Sequence, residues 1–478
     1  MIDLTHSTGS RARRTALAVT GSCLLLPTAT AWAQTNGTAT PLDTGDTAWV
    51  LTASALVLLM TLPGLALFYG GLVRAKNVLN VLMQCVLSAG IVGVLWILVG
   101  YSLAFGTGNA FIGDFSKVGM AGVTLESVTS NLASPPRYIP EYAFVMFQAM
   151  FAIITPALIL GAIAERMRFG AWCAFITIWL LGVYCPLAHM VWSSEGWMFK
   201  AGAIDFAGGL VVHMSSGFSA IVAALLLGKR HGLGKEPMPP HSLPLCLVGA
   251  GLLWTGWFGF NAGSALSASP LATLAFLNTG TAASTAVVTW ALIEWLHRGK
   301  PTALGGATAA VAGLVAITPA CGNVGPLGAI WTGIGVSVIS YAACTFLKPA
   351  LGYDDSLDVF GVHALGGAWG ALASGLFAVT LGSGIETNLQ QVMVQLRGIA
   401  FVVGFAPVAT AGILFALQLM FGPLRVPEEA ELEGLDLSEH SESAYGFAGG
   451  GVLVPEMTRQ VGHPLAMSIA AHQEETSV

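Results

Sequence analysis

The sequence predicts an all-α polytopic membrane protein, and three observations carry that prediction. Of its 478 residues, 55% are hydrophobic and 9% are charged, whereas soluble domains carry about 25% charge. Apolar runs recur along the whole chain, and several approach the roughly 20 residues a helix needs to cross a bilayer core. Lysine and arginine fall mainly at alternate ends of those runs, as the bias of cytoplasmic loops requires. The formal charge of −6 points to no partner, since most of the acidic surplus follows Pro427. Nothing in the chain suggests nucleic acid.

The chain opens with Arg11, Arg13 and Arg14, then an apolar run through Leu24, Leu25 and Leu26, then Ala31-Trp32-Ala33. This order predicts a cleaved secretory signal over residues 1–33, because Pro27 and several threonines interrupt a run already too short to span. Eleven spans follow, over 48–73, 78–105, 142–164, 170–191, 203–228, 242–263, 272–296, 303–319, 325–346, 357–380 and 398–421. Odd-numbered spans end at Arg74 and Lys76, at Arg166 and Arg168, at Lys229, Arg230 and Lys235, at Arg298 and Lys300, at Lys348, and at Arg425. The opposite loops hold only Lys117, Arg137, Lys200 and Arg397. The amino terminus is therefore expected outside and the carboxyl terminus inside, in an inner (cytoplasmic) membrane. Residues 46–422 form the transmembrane domain, and 423–478 a cytoplasmic tail that begins with Glu428, Glu429, Glu431 and Glu433.

Two spans share a costly pattern. Asp205 precedes His213, and Asp355 precedes His363, by eight residues each, and ionisable groups at membrane depth mark function by default. The fifth span runs inward and the tenth outward, so the two acids start from opposite faces. Eight helical residues rise about 12 Å, so both histidines approach mid-membrane. This is the geometry of an inverted repeat, spans one to five against six to ten, with the eleventh as an unpaired extra helix. Val212 with Val362 and Gly217 with Gly367 extend the match. Burial favours the neutral imidazole, and two facing rings would offer a small polar molecule or a proton one donor and one acceptor. Asp205 could also cap a helix or hold an unwound segment through backbone amides; Asp358, about one turn beyond Asp355, is a weaker candidate.

Aromatic residues gather at the outer ends of the spans. Phe147 and Phe151 share a helix face, Trp192 follows the fourth span, and Trp257, Phe258 and Phe260 lie in the sixth. They read either as an interfacial belt or as a cation-π site for a small ammonium ion. Cys85, Cys173, Cys185, Cys246, Cys321 and Cys344 show no metal-type pairing and read as small apolar packing residues.

Seven segments in order sharpen the choice: Phe147-Gln-Ala-Met-Phe151, Gly161-Ala-Ile-Ala-Glu-Arg166, Ala188-His-Met-Val-Trp192, Asp205-Phe-Ala-Gly-Gly-Leu-Val-Val-His213, Trp257-Phe-Gly-Phe-Asn-Ala-Gly-Ser264, Thr318-Pro-Ala-Cys-Gly322 and Asp358-Val-Phe-Gly-Val-His363. Together they resemble the Amt branch of the Amt/Rh ammonium transporters, from about Asp46 to Tyr445. The resemblance implies a homotrimer of eleven-helix subunits, each with its own pore and no cofactor. It implies that Phe151, Trp192, Ser264 and Asp205 recruit ammonium, and that Phe151 and Phe260 close the pore. His213 and His363 would line the conduction path, with Phe147, Thr318 and Asp355 in pore or structural positions. Such proteins are understood to bind ammonium outside, separate its proton and conduct ammonia, with the histidines as a candidate relay. The tail from Leu424 to Tyr445 is similar to the family's regulatory terminus, which implies a PII-type signalling protein as a cytoplasmic partner. Membrane lipid is the other surrounding partner.

Two competing readings remain at this stage. An ammonium sensor could use the same pore architecture, although no signalling domain is evident. A haem-binding electron carrier could use His213 and His363 as axial ligands, and absence of a Soret band would eliminate it.

Overall fold

Where no water can reach the backbone, a chain must close its own hydrogen bonds, and helices do so within one segment. The computed structural model describes residues 42–130 and 136–446. The expected signal over 1–33 and the stretch after Phe447 lie outside those residues. The described chain runs through helices α1 (Thr44–Leu72), α2 (Ala75–Phe105), α3 (Glu141–Ile163), α4 (Phe169–Lys200), α5 (Gly209–Leu227), α6 (Leu243–Gly263), α7 (Pro270–Arg298), α8 (Ala303–Ile317), α9 (Pro326–Leu351), α10 (360–376) and α11 (Asn388–Phe421). Among the described residues, nine of these are long and apolar enough to cross a membrane. The expected eighth and tenth spans are shorter: α8 has 15 residues, and α10 joins a six-residue π-helical turn to an eleven-residue α-helix.

Local signals set the helix ends. The Thr302 side chain caps α8 by accepting the Gly305 N–H, and Thr387 with Gln390 forms a reciprocal capping box at the start of α11. Pro270 and Pro326 sit in first turns, where a missing N–H costs nothing. α3 is central, with 83% of its most apolar stretch buried, whereas α11 is peripheral at 22%.

Residues 106–140, between α2 and α3, carry an antiparallel pair, β1 (Val128–Ser130) and β2 (Tyr138–Pro140), which hydropathy gave no reason to expect. The side of the bundle bearing this connection is here termed the loop face. The opposite side, the tail face, carries two short helices, α12 (Glu428–Glu433) and α13 (Leu435–His440). These short helices are packed rather than solvated. The Asp436 carboxylate accepts the Asn80 N–H at 2.8 Å, and that of Glu431 accepts the His231 N–H at 2.6 Å and pairs with Arg425.

α5 and α10 cross closely enough to bring their histidines together. A Cβ on Gly217 would lie 2.3 Å from the Ala364 nitrogen, and one on Gly367 would lie 3.1 Å from the His213 Cβ. Only hydrogen fits at the first of these, which explains a glycine inside an apolar helix. Both helices also open with a π-helical turn, Gly209–Met214 and Phe360–Leu365, and each turn contains its histidine.

Candidate functional site

α3 buries both members of the Phe147/Phe151 pair. The Phe151 ring stacks on Phe260 of α6, with centroids 4.1 Å apart and planes at 29°, and meets Trp192 edge-on at 5.8 Å. Phe147 supports Phe151 from 5.0 Å. A loop-face cavity of about 490 Å³ is lined by Phe151, Trp192, Asp205, Phe206 and Ser264, but not by Phe147. The Ser264 hydroxyl donates to the Phe260 carbonyl at 2.8 Å, so its oxygen has only acceptor capacity left for the cavity. Aromatic faces beside a spare acceptor suit a small cation that carries N–H donors.

Asp205 reaches this cavity, yet its carboxylate is fully engaged. Oδ1 accepts the N–H groups of Gly208 (3.1 Å) and Gly209, and Oδ2 those of Leu210 (2.9 Å) and Val211 (3.1 Å). These are donors that the first turn of α5 cannot satisfy within the helix. Gly208 has φ +112°, a left-handed conformation that glycine adopts without a Cβ penalty. The Asp205 carbonyl accepts the Trp192 indole N–H at 2.8 Å. One residue earlier, the Gln395 amide brackets Ile204, accepting its N–H at 2.8 Å and donating to its carbonyl at 2.6 Å. Gln391 likewise donates to the Gly202 carbonyl at 2.9 Å. Sequence reasoning passed over both glutamines; two buried amides four residues apart in an apolar helix were the available signal.

Past the stacked phenylalanines lies a cavity of only about 10 Å³, lined by Phe260, Trp257, His213, His363, Leu158 and Val311 among others. That is close to the least volume that holds one water. His213 Nδ1 lies 3.2 Å from His363 Nδ1, with ring centroids 5.3 Å apart. One Nδ1 must donate and the other accept, so a neutral pair has one bare Nε2 and one Nε2–H. His213 Nε2 is buried without a protein partner and borders this cavity. Thr318 borders neither this cavity nor the loop-face one. Its oxygen instead accepts the Trp257 indole N–H at 2.8 Å.

On the tail face a cavity of about 200 Å³ reaches His363 between Tyr69, Glu165, Arg230 and Asp358. Asp355 accepts one backbone N–H, from Phe360 at 2.7 Å, and its Oδ1 is buried with no hydrogen-bond partner. Asp358 adopts φ +61° and pairs with Lys348 at 2.7 Å. Arg230 binds Asp354 at 2.9 Å and Glu165 at 3.2 Å, and Arg74 also pairs with Glu165 at 2.9 Å. Burial pushes the Glu165 and Asp354 carboxyls up, but their arginines outweigh it and hold both below the ordinary carboxylate range. Among the described residues, no group of three His, Cys, Asp or Glu side chains converges as a metal site would.

Comparison with known proteins agrees in one direction. A family model described as the Ammonium Transporter Family matches residues 48–445. An ammonium transporter of Aquifex aeolicus is 46% identical over 412 residues, covering 85% of this chain and 94% of the relative. One from Bacillus subtilis is 45% identical over 410 residues, covering 84% and 98%. Among solved structures, a Sensor Amt Protein superposes with a TM-score of 0.76 at 29% identity, covering 83% of this chain and 98% of its own. Candida albicans Mep2 gives a TM-score of 0.74 at 36% identity, covering 81% and 87%.

Proposed function

Since this chain belongs to the ammonium transporter family and is a multi-pass helical membrane protein, we propose that it recruits ammonium on the loop face, removes a proton and conducts ammonia past His213 and His363. The observation that carries this reading is the succession of cavities: a roomy aromatic one with a serine acceptor, a stacked pair of rings, then about 10 Å³ ending on two imidazoles. A hydrated potassium ion would have to lose its shell there for rings that replace little of it. Ammonium can donate to Ser264 and, unlike potassium, become neutral by giving up a proton. The proton goes either to solvent in the loop-face cavity or to the bare Nε2 of the histidine pair, which also offers ammonia an acceptor and a donor in single file.

In this reading Phe151, Trp192, Ser264 and Asp205 form the recruitment site, with Phe151 and Phe260 as the gate. Asp205 acts through its negative field and by holding the turn, because four amides already occupy its oxygens. The loop face is external and the tail face cytoplasmic, in an inner membrane after cleavage of residues 1–33. α8 and α10 cross as well, which completes eleven spans in two inverted five-helix halves plus α11. The subunit works as a homotrimer, and the packed α12–α13 segment offers a PII-type protein its cytoplasmic surface. A sensor reading is favoured by one observation, the likeness to a Sensor Amt Protein; a variant that signals without flux would support it.

Ammonium-evoked current and uptake in proteoliposomes test the proposal. Wild-type protein should pass ammonium and exclude potassium, and replacing both His213 and His363 with alanine should abolish that discrimination. Selective ammonium flux that survives loss of both rings defeats the assigned role.

A further inference from the structure

Thr318 has both of its hydrogen-bonding directions fixed. Its hydroxyl donates to the Leu314 carbonyl at 2.8 Å, and a hydroxyl has only one proton to give. Toward Trp257 it can therefore only accept, and it takes the indole N–H at 2.8 Å. Both side chains are buried, Thr318 at 0% exposure and Trp257 at 2%, so water cannot replace either partner. The indole in turn lies nearly parallel to the His213 ring, with centroids 5.4 Å apart and planes at 24°. His213 holds the same relation to His363, at 5.3 Å and 28°. The other side of the 318–319 segment touches the recruitment turn, where the Pro319 carbonyl accepts the Phe206 N–H at 3.1 Å.

We infer that Thr318 is a positioning residue for the conduction path: by anchoring the Trp257 indole it fixes the plane of His213, and through it the Nδ1–Nδ1 contact with His363, without touching the substrate. This rests on the pore reading above and assigns selectivity to a residue outside the pore lining. An imidazole lone pair is directional, so a ring free to tilt would lose the single-file register that separates ammonium from potassium. One hydrogen bond at the end of α8 thus sets the aim of a ring on α5.

The test compares Thr318→Val, which keeps the shape and removes the acceptor, with Thr318→Ser, Trp257→Phe and the Thr318→Val/Trp257→Phe double variant in proteoliposomes. The ammonium-over-potassium flux ratio should fall on the order of tenfold in Thr318→Val, the weight of one buried hydrogen bond left unmade. Thr318→Ser should restore it, and the double variant should be no worse than Trp257→Phe alone, because residues acting through one contact are not additive. A wild-type ratio in Thr318→Val, or losses that multiply in the double variant, overturns the inference. If Thr318→Val does not assemble, a wild-type ratio in Trp257→Phe overturns it equally. The histidine ring NMR shifts give a readout independent of flux. They should move in Thr318→Val, which keeps the indole, and stay in Thr318→Ser, and unmoved shifts in Thr318→Val overturn the inference. Absence of ammonium flux in the wild type, with these shifts moving as expected, would instead defeat the pore reading.

Discussion

The two acid-to-histidine turns have the same outline and opposite surroundings. On the loop face, Asp205 satisfies four backbone amides beside open aromatic rings. On the tail face, Asp355 satisfies one, keeps an unpartnered oxygen, and sits near a lattice of arginines and carboxylates. The difference teaches that repeating a backbone device does not repeat its job. The first turn is rigid because its own acid saturates it, and it leaves the cavity free of competing positive side chains. The second depends on its neighbours: Arg166 donates to the Ser356 hydroxyl at 2.7 Å and to the Asp354 carbonyl, and the Gly161 carbonyl accepts the Leu357 N–H at 3.0 Å.

Removing each acid breaks this comparison most sharply. Asp205→Ala leaves four buried donors unmet at about 1–3 kcal/mol each, and ammonium uptake should fall more than about 100-fold, while Asp355→Ala costs uptake no more than about tenfold. Equal losses in a proteoliposome assay would make the two turns functionally alike. The next largest effect concerns the tail face. Arg230→Met strands Asp354 and leaves Glu165 to Arg74 alone, and a broken buried pair costs about 3–5 kcal/mol, which should appear as a lower midpoint in thermal unfolding. The same carboxyls set a pH dependence. Because both titrate below their ordinary range in the folded protein, their contribution is complete above the unfolded-state values and lost as pH falls through the depressed ones. Acid unfolding of wild type should therefore steepen below the ordinary carboxylate range, and Arg230→Met should weaken that feature, keeping only the part that Arg74 maintains at Glu165. The smallest effect belongs to Ser264→Ala, which removes one acceptor worth about 0.5–1.5 kcal/mol. The half-saturating ammonium concentration should rise by roughly two- to tenfold, with the maximal rate kept; an unchanged value would make the rings sufficient.

Much of this was legible in the sequence because it depends on composition and short spacing. Apolar runs gave the helices, and the Asp205–His213 and Asp355–His363 intervals gave the paired turns. The parts that escaped depend on contacts between distant residues. Arg230 meets Glu165 and Asp354 across 65 and 124 positions, and Trp257 finds Thr318 across 61, which no local pattern announces. Glu431 and Asp436 read as part of an acidic, polar tail, yet the fold buries them to 1% and 3% exposure, since unsatisfied helix-start amides and arginines elsewhere need them. The late start of α10 also has a local cause, because Asp358 is held at φ +61° just before it, and hydropathy cannot register the hand of one residue's backbone.

The Nδ1–Nδ1 contact between His213 and His363 holds one proton between two like atoms. Either ring can own it, and changing the owner swaps which end of the pair is the bare nitrogen and which is the N–H. The pair therefore behaves as a two-position turnstile: a proton accepted at one end and released at the other leaves it facing the wrong way. In the proposed pore, each relayed charge would demand a reset before the next, whereas neutral ammonia would pass without turning it.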